Sequence, residues 1–156
     1  MLSRWLKPLE RRYGLDLRSL ALLRLGLGLI ILSDLWFRRG DLLAHYSDRG
    51  VVPRSLLPEL WQPAYWSIHA LGGGVAWQIG CFAIAALSAL LLLIGYRTRW
   101  ATVVSWVMLI SLHNRNPLVV FAADDVLRAI LFWAMFLPLG GSYSVDQALN
   151  TSPRPQ

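Results

Sequence analysis

Residues 74–96 read GVAWQIGCFAIAALSALLLLIGY and contain no charged side chain. A helix rises about 1.5 Å per residue, so this stretch can cross a hydrocarbon core roughly 30 Å thick. It is apolar all round, which predicts a helix facing lipid or protein interior rather than water. The surrounding chain agrees. Of its 156 residues, 56% are hydrophobic and 15% charged, against roughly 25% charged in soluble domains. That balance argues against a disordered chain and against an ordinary soluble globule. The net charge of +6 could suggest nucleic acid, but the basic residues flank apolar runs, as they do in membrane proteins. A nucleic-acid partner is therefore not expected.

Three further segments extend the pattern. Ser19–Phe37 is interrupted only by Arg24 and Asp34, Trp100–His113 is short, and Leu118–Leu139 carries Asp124, Asp125 and Arg128. The expected fold is an all-α membrane protein: a bundle of four transmembrane helices over residues 19–149, with a long external loop between the first and second spans. The third span lies between Arg99 and Arg115. Its length can be completed by membrane thinning, by snorkelling of those arginines, or by burial of residues 113–116. Arg4, Lys7, Arg11, Arg12, Arg18, Arg97, Arg99 and Arg154 fall on one side, and Arg38, Arg39, Arg49, Arg54 and Arg115 on the other. The positive-inside rule then predicts cytoplasmic termini, and a bacterial inner or plasma membrane is the expected location.

The first run has no cleavage signature and is read as a retained span. Before it, Leu2, Trp5, Leu6, Leu9 and Tyr13 share one helical face opposite Arg4, Lys7, Glu10 and Arg11. Residues 1–18 are thus expected to lie along the cytoplasmic interface as an amphipathic segment. The polar residues 150–156 read as a loose tail. Trp61, Tyr65 and Trp66 in the external loop suit an interfacial aromatic belt.

Ionisable groups at membrane depth cost about 2.5–3.5 kcal/mol each and should face the bundle in pairs. Asp124 and Asp125 both lie within helical reach of Arg128. With Asp34, His113, Asn114, Arg115 and Asn116 at matching depth, one polar cluster of eight residues is expected in the outer half of the bundle. It either pins the helices in register or binds a ligand, the former being the preferred reading. Arg24, inside the cytoplasmic end of the first span, is expected to snorkel to lipid headgroups. Cys81, Ala85 and Ala89 form a small-residue stripe that predicts a close helix–helix contact. His45, His69 and His113 are scattered without metal-binding spacing, so no metal site is expected; no nucleotide-binding or hydrolase motif appears.

Several strings carry a resemblance. Leu23-Arg24-Leu25-Gly26 through Asp34, residues 46–53 (YSDRGVVP), residues 93–99 (LIGYRTR), residues 111–117 (SLHNRNP), Asp124-Asp125 and Ser144-Val145-Asp146 occur in order along the chain. Together they resemble the HTTM family, membrane proteins related to vitamin K-dependent gamma-glutamyl carboxylase. The resemblance covers what look like the first four spans. It implies a helical membrane domain and, in the carboxylase branch, quinol oxidation coupled to glutamate carboxylation. The carboxylase base is a lysine placed beyond this region; the only lysine here is Lys7, so no catalytic residue is carried over. The expected function is a non-catalytic accessory or scaffold subunit, embedded in the bilayer with other membrane subunits as partners. The alternative is a carboxylase-like remnant binding quinone or phospholipid at the polar cluster. A transporter is the weakest reading, since no repeat is evident.

Overall fold

The computed structural model describes residues 16–149. The interfacial segment expected over residues 1–18 falls almost wholly outside them, and so does the tail at residues 150–156. Every regular element among the described residues is helical. Four longer helices dominate: α1 (Leu17–Arg38), α4 (Val75–Ile94), α5 (Thr98–Arg115) and α6 (Ala122–Ala134). Three short ones join them: α2 (Leu42–Tyr46), α3 (Leu57–Leu60) and α7 (Val145–Ala148). α1 packs on α4, α4 on α5, and α5 on α6.

Two stretches, Leu17–Tyr46 and α4, are long and apolar enough to cross a membrane. The start of α1 is set by Asp16, whose carboxylate accepts the Arg18 N–H and so satisfies a donor that the first turn leaves free. α4 ends at Gly95, which is left-handed (φ 73°). The Tyr96 and Gly95 amides return to the last-turn carbonyls of Leu91 and Leu92, a Schellman closure that favours glycine. Cys81, Ala85 and Ala89 are all buried. A Cβ at Gly28 would stand 3.0 Å from Leu93 Cβ and 3.2 Å from Ala89 O, so α1 and α4 approach there at glycine distance.

The fourth segment departs from expectation. Residues Pro117–Val119 form a separate 3-10 turn and α6 begins only at Ala122. The reason is local: the Asn116 side chain accepts the Leu118 amide, and the Asp124 carboxylate accepts the Phe121 amide. Asn116 thus caps the 3-10 turn and Asp124 bonds the N-cap of α6, so α6 starts four residues later than Leu118. Arg128 consequently lies about 9 Å into α6, at the middle of this shorter helix. By contrast α5 runs longer than Trp100–His113, through Arg115, and residues 113–116 are all buried. The last turn of this helix is thus buried within the chain.

Candidate functional site

The eight residues expected to form one cluster divide into three groups. The first is a charged knot where α1, α5 and α6 meet. The Arg38 guanidinium donates through Nε to both oxygens of Asp34 (2.7 and 2.8 Å). Its Nη2 reaches both oxygens of Asp124 (3.1 Å), and its Nη1 donates to the Tyr46 hydroxyl (3.0 Å). The planar fork of arginine suits this bridging between two carboxylates. His113 Nε2 faces Asp124 Oδ1 at 3.6 Å.

The second group anchors the long connection between α1 and α4. Arg115, fully buried, donates to Val52 O (2.9 Å) and approaches Asp48 Oδ1 (3.5 Å). Asn114 donates to Trp66 O, and its own carbonyl accepts from Trp61 Nε1. Asn116 donates to His45 O. Thus the strings at residues 46–53 and 111–117 meet: the arginine and amides of the second satisfy carbonyls of a loop that would otherwise bury them unpaired. Trp61 serves as a hydrogen-bond donor to the end of α5, a role the aromatic-belt reading did not include. The third group bonds to neither, although the Arg128 charge acts on His113. Asp125 and Arg128 pair with each other on the outer face of α6, with the Asp125 side chain 69% exposed.

Arg24 is the clearest correction. It does not reach toward headgroups: it is 0% exposed and donates to the Tyr143 carbonyl at 2.7 Å. The reason is a clasp at the opposite end of the helices, made by Asp146. That carboxylate accepts the amides of Arg97 (2.7 Å) and Thr98 (2.8 Å) and the Thr98 hydroxyl (2.7 Å). It thereby caps the start of α5, while the Asp146 amide donates to Gly95 O. A guanidinium held inside the bundle gains the Tyr143 carbonyl and the nearby Asp146 charge, which a snorkelling side chain would forgo. The strings at residues 93–99 and 144–146 therefore meet as well.

Sequence reasoning missed Arg38, Tyr46, His69 and Asp146. The Asp34–Arg38 spacing of four residues was a usable signal for the first; no local spacing connects the others to their partners. His69 lies under the long connection, where its Nδ1 meets Ser111 Oγ at 2.8 Å and its amide donates to the same oxygen at 3.1 Å. Burial, with the Arg115 charge adding to it, lowers the His69 pKa to about 4. The folded protein thus holds this ring neutral, while the unfolded chain protonates it below about 6.5. Stability from this group is complete above pH 6.5 and is lost as pH falls toward 4. The expected slope approaches about 1.4 kcal/mol per pH unit in that window. Comparing detergent unfolding of wild type and His69→Gln from pH 7 to pH 4 checks this: the wild-type curve falls more steeply.

These features define an all-helical protein with two helices fit to cross a membrane and its charged groups gathered at two ends. Set beside family models, curated proteins and solved structures, the chain matches none of them.

Proposed function

We propose that this is a four-span integral membrane protein, with both termini cytoplasmic, acting as a non-catalytic accessory or scaffold subunit of a larger membrane complex. The observation that carries the reading is the shortness of α6. Its 13 residues span about 20 Å, well below a hydrocarbon core of roughly 30 Å. The non-helical backbone on either side of it would then lie near membrane depth, where it is tolerated only if covered by protein. The same region presents Phe121, Trp133 and Phe136, each about two-thirds exposed. A neighbouring subunit seated against α6 would cover both.

The buried charges fit this role. Arg38, Arg115 and Arg24 each make at least one hydrogen bond to a group within the chain, as expected of residues that hold a fold. The HTTM resemblance is compatible with the reading, because its strings pair off at the two ends of the helices. Binding of a quinone or lipid is the second reading, favoured by the unpaired ring nitrogens of His113.

A photo-crosslinking residue at Phe136 or Trp133 tests the proposal in native membranes. The expected product is a discrete protein adduct at α6 and none from Leu22, which is exposed on α1. An uncrosslinked monomer at every position would overturn it.

A further inference from the structure

His113 differs from the other members of its knot. It is 1% exposed, and among the described residues neither ring nitrogen has a hydrogen-bond partner. Leaving a buried polar group unpaired costs about 1–3 kcal/mol, so an imidazole in this position needs a counterpart. Its Nε2 lies 3.6 Å from Asp124 Oδ1. That is too long for a hydrogen bond but suits two donors on one ion, because metal bonds of about 2.1 Å at tetrahedral angles set donors roughly 3.4 Å apart. Asp34 completes the arrangement: one donor atom from each of Asp34, His113 and Asp124 lies within 4.8 Å of the others.

Charge points the same way. Two carboxylates share the single guanidinium of Arg38, while Arg128 is matched by Asp125. With a neutral imidazole the bonded groups Asp34, Asp124 and Arg38 sum to one net negative charge, which favours a cation beside them.

We propose that Asp34, His113 and Asp124 bind a divalent transition-metal cation that ties α1, α5 and α6 together. Arg38 acts as the outer partner, fixing both carboxylates as ligating carboxylates commonly are. An imidazole donor disfavours Mg²⁺ and Ca²⁺, which take oxygen ligands; one nitrogen with two carboxylate oxygens suits Zn²⁺. The sequence offers no metal motif because the three ligands come from three separate helices. This inference is independent of the accessory role: metal content and subunit contact are read by different measurements.

The test uses the full chain in detergent, stripped with a chelator, reloaded with Zn²⁺ or Co²⁺ and desalted. About one zinc per chain should be retained, and Co²⁺ should give the visible absorption of a ligand-bound, low-coordinate ion. His113→Gln and Asp124→Asn should each weaken Zn²⁺ binding by about tenfold or more, whereas Asp125→Asn should bind as wild type. Retention below about a tenth of an equivalent would overturn the proposal. Featureless Co²⁺ spectra, or unchanged binding in His113→Gln, would also overturn it. Should Asp124→Asn fail to fold, the wild-type Co²⁺ spectrum and His113→Gln decide.

Discussion

Replacing Arg38 by methionine is expected to destabilise the protein by about 3–5 kcal/mol, as removal of one partner from a buried ion pair does. The side chain bonds Asp34, Tyr46 and Asp124 together, so one substitution releases α1 from α6 and from the short helix after it. The loss comes mainly from what remains. In chelator-stripped protein two carboxylates would face one another without a cation between them, and like charges in an apolar setting repel strongly. In detergent the melting midpoint should fall by roughly 10 °C. Adding Asp124→Asn to Arg38→Met should recover part of that loss, because it removes one of the abandoned charges. A midpoint for Arg38→Met within about 3 °C of wild type would show that the bridge contributes little.

Gly95→Ala should be comparably damaging at the other end of the bundle. The backbone at Gly95 has φ 73°, where a Cβ costs roughly 1–2 kcal/mol. The added carbon would also overlap Arg24 Nη1, driving the guanidinium off the Tyr143 carbonyl. A hydrogen bond to a charged group is worth about 1.5–3 kcal/mol, so the expected total is about 3 kcal/mol or more. The two contributions can be separated. In an Arg24→Met background the overlap with the guanidinium is relieved while the close approach to Ser144 Cβ remains, so Gly95→Ala should then cost less, though still more than the backbone part. Equal costs of Gly95→Ala in both backgrounds would sink the steric account.

Helices were legible where composition alone decides. Gly74–Tyr96 contains α4 nearly residue for residue, because an uncharged apolar run ending in Gly-Tyr-Arg leaves few choices. Boundaries set by side-chain caps were not legible: Asn116 starts a separate 3-10 turn through its bond to Leu118, and Asp124 fixes the start of α6 through Phe121. The polar cluster was legible as depth but not as pairing. Matching depth brings Asp34, His113 and Asp124 together, yet depth carries no information about which way a side chain faces around its helix. Asp125 therefore points outward although Asp124, its neighbour, is buried. Arg24 was misread for a related reason. Its counterparts Tyr143 and Asp146 are brought to it only by folding of the whole chain.

The Asp146 clasp has a kinetic implication. Its carboxylate caps a helix whose first residues precede it by nearly fifty positions, 49 in the case of Arg97. During synthesis, the α4–α5 hairpin must wait with an uncapped start and a guanidinium lacking its acceptor until Tyr143–Asp146 has emerged from the ribosome.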